Sequence, residues 1–229
     1  MTDISLLEGL ATTRAIRRYT DDRIPPEDLQ KILWSATRAP SGSNRQPFRF
    51  VVLQDGPNAR EAKRLIGEAA QAMWSKKVVT DQYEQGSGTD HNSPKAKMAR
   101  TMQHYVDNLH CCPVIILPCL VRYRAPNSME GGSIYPAVQN LMLAARATGY
   151  GGVITGFHHA VEKELRPLLK IPEEVFIACT VTMGKPKGRH GPVRRKPMGE
   201  LVFEESWDLT PSWAVDPEGT RFTSGGPPG

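Results

Sequence analysis

The chain has 229 residues, four cysteines and a formal net charge of +5 at neutral pH, with an isoelectric point near 9.1. That length can bury a sizeable core and no linker divides it, so one domain over residues 1–205 with a C-terminal extension over 206–229 is expected. The modest positive charge suits an anionic small molecule, while the absence of basic runs interleaved with aromatics argues against nucleic acid, and no apolar run nears the roughly 20 residues that span a bilayer.

Ile4, Leu7 and Ala11 share a helical face and predict a first helix over about 5–12. The stretch TTRAIRRYTDD follows, where Arg14, Arg17 and Arg18 crowd the passage from helix to extended chain. Arg14 and Arg17 would point the same way if that passage were coiled into a turn. The IPPED sequence opens a second helix, since proline suits the first turn and Glu27 and Asp28 suit the positive end of the helix dipole. Leu29, Ile32, Leu33 and Ala36 carry it to about Arg38, before Pro40 stops it.

The loop APSGSNRQP, with Ser41, Gly42, Ser43 and Asn44 at its centre, is a polar rim that could face a flat ring or simply be a helix exit. Residues 48–53 are β-branched and aromatic and read as a strand. An amphipathic helix over 57–73 comes next, then a polar, glycine-broken segment over 75–94 that reads as a lid, a binding loop or disorder. Met98, Met102, Tyr105, Val106 and Leu109 mark a helix whose stripe suits core or dimer packing.

PVIILPCLVRY over 113–123 is a strand in which Pro118 predicts an edge or a bulge. The helix over 133–148 is apolar around much of its circumference and should be central, with Gly149 ending it. GGVITGF is a short strand or turn, a helix covers about 160–169, and residues 176–183 form the last clear core strand. The loop GKPKGRHGPVRRKP combines free backbone donors with Arg194, Arg195 and other cations, and makes a plausible anion site. Residues 198–205 suggest a final strand or extended arm, and FTSGGPPG suggests disorder. An α+β sheet covered by helices is the natural architecture.

No Walker loop, no GxGxxG after a strand, no GxSxG elbow and no defensible Ser/His/Asp spacing occurs. The cysteines lie in or beside apolar runs and suggest buried free thiols in a reducing compartment. His158 and His159 are adjacent, so they should point apart, with no third ligand at a recognised spacing; no metal is expected. A cytoplasmic location is expected, because the N-terminus lacks a basic region followed by an apolar stretch.

Three separated pieces coincide: TTRAIRRYTDDRIPPEDLQKIL, then APSGSNRQPFRFVVL, then GYGGVITGF before GKP…RRKP. In order and spacing they resemble the nitroreductase family of FMN-dependent oxidoreductases, over roughly residues 6–201. The resemblance implies a mostly antiparallel central sheet flanked by helices in an intertwined homodimer, with FMN bound at the subunit interface and NAD(P)H as electron donor. It implies ping-pong chemistry, with hydride transfer at flavin N5 and then a small-molecule oxidant, nitroaromatic or quinone, over the same face.

By position, the resemblance assigns Arg14, the backbone of Ala15 and Ile16, and Arg17 to the first flavin motif. Arg17 would face the flavin N1/O2 edge, and Arg194 and Arg195 would meet the phosphate. Ser41, Gly42, Ser43 and Asn44 would hold the ring from the partner subunit, and Ile154, Thr155 and Gly156 would lie beneath it. Many members have a second arginine where this chain has Thr13, whose hydroxyl could still donate to phosphate. Two other readings stay open: a branch of the same fold that consumes flavin to make a cobalamin ligand, and a non-catalytic FMN store or sensor.

Overall fold

Strand β2 (Val114–Val121) is apolar at every position, as a strand must be when both its faces are covered. The computed structural model, which describes residues 4–81, 83 and 93–223, bears this out. β2 lies inside a five-stranded sheet ordered β1–β2–β5–β3, with β1 (Phe48–Leu53), β3 (Gly151–Thr155), β4 (Val175–Ile177) and β5 (Thr180–Gly184); β4 also pairs with β2. Every pairing in this sheet is antiparallel.

Alternate residues of β2 feed two cores. Val114, Ile116 and Leu120 join helices α2 (Pro26–Ala36) and α5 (Tyr135–Ala147) on one face. Ile115, Leu117 and Cys119 join α3 (Pro57–Thr80), α4 (Pro94–Asp107) and α6 (Glu162–Leu169) on the other. α5 is central as expected: Leu141 is fully buried, and α1 (Leu6–Thr12) and α2 both pack on it. The fold is α+β.

Several sequence expectations are corrected. Pro118 is not on an edge, because β2 has neighbours on both sides. It faces the break between β4 and β5, where Ala178 N–H donates to its carbonyl at 2.9 Å, so the interruption rather than the edge absorbs its missing donor. Residues 176–183, read as one strand, are therefore two.

Helix α3 continues seven residues past its expected end at Met73. No breaker follows Met73, and Trp74 is buried with its indole N–H donating to Gln103 at 2.9 Å. Residues 75–80 of the expected lid are thus helical. Pro94 opens α4, capped by the Ser93 hydroxyl, which accepts from Ala96 N–H. The rest of that segment, save Asp81, Tyr83 and Ser93, lies outside the described residues.

The stretch 198–205 forms a short 3-10 turn (Met198–Glu200) and no strand. Phe222, placed in the disordered tail by the sequence, pairs in a small parallel ladder of β6 (Arg194–Arg195) with β7 (Arg221–Phe222); residues 224–229 lie outside the description. Three cysteines are buried, with burial pushing the Cys112 and Cys179 thiols up to about 12. Cys111, against expectation, is exposed. Among the described residues no helix is long and apolar enough to cross a membrane.

Candidate functional site

The arginine stretch leaves α1 as extended chain rather than as the turn that would align Arg14 with Arg17. It is fixed on both sides. Ile16 N–H donates to Gly152 O at 2.9 Å on the outer edge of β3, and Thr20 N–H to Lys185 O and Lys187 N–H to Arg18 O tie it to the basic loop. The close approach needs glycine: a Cβ on Gly151 would stand 2.6 Å from the Ile16 side chain, and one on Gly152 would stand 2.6 Å from Thr182 O. Below, the Tyr19 hydroxyl donates to Ile16 O at 2.6 Å and also meets the Thr182 hydroxyl, while burial raises its pKa well above the ordinary phenol value.

Held in this way, Arg14, Ala15 and Arg17 form one wall of a cavity of about 520 Å³, and Pro192, Val193, Arg194, Arg195 and Arg221 form the rest. Val193 N–H donates to Ala11 O at 3.1 Å, which brings the two ends of the domain together. Five guanidinium groups therefore line one space, and among the described residues none of them forms an ion pair. The Nε of Arg17 is buried without a hydrogen-bond partner. A buried unpaired donor is costly in a folded protein, and an acceptor from outside the chain would relieve it. His190, beside this wall, donates from Nε2 to Tyr150 O at 3.2 Å, and burial followed by Arg146 lowers its pKa, so it adds no cation near neutral pH.

The other assigned residues sit apart from this cavity. Ile16 does not line it, and both its amide and its carbonyl are engaged within the chain, so it positions its neighbours. The Thr13 hydroxyl donates to Gly9 O at 2.6 Å and is not free to donate to phosphate. Ser41–Asn44 lies at the N-terminal end of α5, where Gly42 N–H donates to the Ser133 hydroxyl at 3.1 Å. Ser43, Asn44 and Gln46 all have φ near +50°, a left-handed conformation that costs non-glycine residues on the order of 1 kcal/mol or more each. Gly42 itself needs no such backbone. Ile154 is exposed on the free edge of β3, followed by Thr155 and Gly156; the same edge is taken by Ile16 two residues earlier.

Arg221 escaped the sequence reading. It is a single cation in a polar tail, and no local pattern links it to residues two hundred positions earlier. His158 and His159 do not point apart: their ring centroids are 4.0 Å apart, and Glu162 joins them with ligand atoms within 4.8 Å of one another. Both His158 nitrogens are engaged, however, by Thr180 Oγ1 and Ile177 O, and Glu162 pairs with Arg166. A cation there would have to displace these partners.

A model of the nitroreductase family matches residues 10–185. The chain belongs to that family. A protein of Archaeoglobus fulgidus, provisionally named NADH dehydrogenase/NAD(P)H nitroreductase, is 32% identical over 184 residues, covering 79% of this chain and 85% of the relative. The FMN reductase [NAD(P)H] of Bacillus subtilis is 26% identical over 203 residues, covering 88% and 74%. Among solved structures, a provisionally named nitroreductase from Desulfovibrio desulfuricans in complex with FMN superposes with a TM-score of 0.61 at 26% identity, covering 90% of this chain and 99% of that one. Membership carries the enzyme class with it: an oxidoreductase of the nitroreductase family.

Proposed function

We propose that this nitroreductase family member binds FMN with its phosphate in the arginine cavity and reduces nitroaromatic or quinone-type oxidants at the expense of NAD(P)H, as a homodimer. The observation that carries the reading is the cavity itself: five arginines without carboxylate partners, one with a buried unpaired Nε. An FMN phosphate is close to a dianion at neutral pH, and guanidinium groups stay charged and offer donors in a fixed fork. When bound, FMN would supply the redox chemistry, accepting hydride from NAD(P)H and giving up electrons to the oxidant in a separate step.

The residues of the chain then divide by task. Arg14, Arg194 and Arg195 neutralise the phosphate. Arg17, deeper in the wall, offers its unpaired donor and a permanent positive charge to the electron-rich edge of the ring, which favours reduction. Ile154, Thr155 and Gly156 continue along the β3 edge from the arginine stretch and would support the ring beyond it. Ser41–Asn44 would approach from the partner subunit, its left-handed backbone held ready in advance.

The dimer reading draws on α1, whose Leu6, Leu7 and Leu10 are exposed, and on a groove of about 440 Å³ between α1, α2 and α5 that includes the exposed Trp34. Apolar surface of this extent suits a covered interface. No acid–base pair is required of the protein. His158 and His190 both have lowered pKa values and stay neutral near pH 7.

Purified protein should carry, or take up, one FMN per chain and show flavin absorbance that NADH or NADPH bleaches under argon. A nitroaromatic or a quinone should then restore the colour. Protein that binds no FMN on reconstitution, or bound flavin that neither nucleotide reduces, would overturn the reading.

A further inference from the structure

We infer that the segment beyond residue 205 completes the arginine cavity, with Arg221 as a phosphate-binding residue, and that anion binding and closure of the C-terminal loop are coupled. This rests on the flavin reading of the same cavity and adds a residue and a linkage to it.

Two observations carry the inference. First, Arg221 lines the cavity together with Arg14 and Arg195, although it lies beyond the family match that ends at residue 185. Second, the loop between Arg195 and Arg221 is closed by a ladder of only two residues on each side, and that ladder sets Arg194 directly opposite Arg221. Like charges placed in register on neighbouring strands repel, and a two-residue parallel pairing supplies little to offset the repulsion. Thr223 N–H donates to Arg195 O at 3.0 Å, and within the loop Met198 N–H donates to the Asp216 carboxylate at 2.8 Å. None of these bonds neutralises the facing arginines. An anion between Arg194 and Arg221 would. Whatever stabilises the closed ladder must in turn be bound more tightly by it, because the coupling free energy is the same in both directions.

The test uses the full chain as apoprotein, with FMN, riboflavin and inorganic phosphate as probes. Arg221→Ala should weaken FMN binding by about 10- to 150-fold, the scale of one charge-assisted contact, and leave riboflavin binding unchanged because riboflavin has no phosphate. Arg221→Lys should recover part of the loss. In the wild type, phosphate at constant ionic strength should slow chymotrypsin cleavage at the exposed Trp207 and Trp213, and in Arg221→Ala it should not. Equal losses for FMN and riboflavin, or cleavage indifferent to phosphate in the wild type, would overturn the inference. Arg14→Ala separates the two levels of failure. If it weakens FMN while Arg221→Ala does not, only the role of Arg221 falls; if both leave FMN binding intact, the phosphate reading of the cavity falls with it.

Discussion

Two regions of the molecule treat the charge of arginine in opposite ways. In the turn and helix around residues 158–166, His158, Glu162 and Arg166 are all partnered within the chain. Glu162 accepts from Arg166 Nε at 2.9 Å, Arg166 also donates to the carbonyls of Pro172 and Val175, and His158 is bonded through both ring nitrogens. In the cavity of Arg14, Arg17, Arg194, Arg195 and Arg221, five arginines line one space with no carboxylate among the lining residues. The first arrangement is what folding alone selects. The second adds repulsion to the folded state, and is understandable only if something outside the chain offsets it. Arginine content therefore says little about where a ligand binds, whereas unneutralised arginine says a good deal.

The largest effect that would sharpen this contrast belongs to His158. Ile177 O can only accept, so the ring carries its proton on Nε2 and takes a bond from the Thr180 hydroxyl at Nδ1; the imidazole is neutral and fully buried. Burial, then the neighbouring His159, lowers its pKa from 6.5 to about 4. The unfolded chain takes up this proton more readily than the native one. Stability is therefore full above about pH 6.5 and falls toward pH 4, by about 1.4 kcal/mol per pH unit and about 3 kcal/mol in all. Urea unfolding at stepped pH should show that slope in the wild type and a flatter one in His158→Gln. An equal slope in both proteins would assign the acid sensitivity elsewhere.

The cavity should behave in the reverse manner. Arg14→Ala or Arg195→Ala should weaken FMN retention by roughly 1.5–3 kcal/mol, one charge-assisted contact each. Neither change should lower the melting temperature of the apoprotein, since each removes a like charge from a crowded wall and breaks no ion pair. Dilution followed by flavin fluorescence reads the first quantity and thermal unfolding the second. A variant that loses stability without losing flavin would make the cavity structural after all.

How much of this was open to the sequence depends on the range of the interaction that decides it. Strand β1 occupies the predicted residues 48–53, because a short β-branched and aromatic run has one favourable way to bury itself. Arg14, Arg17, Arg194 and Arg195 stand out along the chain and do meet in one cavity. Arg221 does not stand out, since only the β6–β7 pairing brings it there. Pro118 was misplaced because the penalty for a missing donor depends on what stands opposite, and the interruption at Ala178 is invisible along the chain. The end of α3 was set too early because tertiary burial of Trp74, not local propensity, carries the helix onward. The loops 41–44 and 154–156, which the resemblance sets against the ring, do not line the arginine cavity, and no local pattern along the chain says what would bring them to it.

The smallest effect tests whether the partnered region is as indifferent to flavin as its bonding implies. Arg166→Lys keeps the positive charge beside Glu162 but replaces a planar fork with a compact ammonium. The guanidinium reaches one carboxylate and two carbonyls at once, from nitrogens that point in different directions. An ammonium at the end of a flexible stem can keep the ion pair but cannot span the Pro172 and Val175 carbonyls with the same geometry. One hydrogen bond's worth of stability, about 1 kcal/mol, should be lost, with FMN affinity unchanged. Chemical unfolding and flavin titration on the same preparation read both. If the lysine variant lost flavin as well, the two regions would be energetically joined through β3 and β5, and the division between charge used for folding and charge kept for a ligand would have to be redrawn.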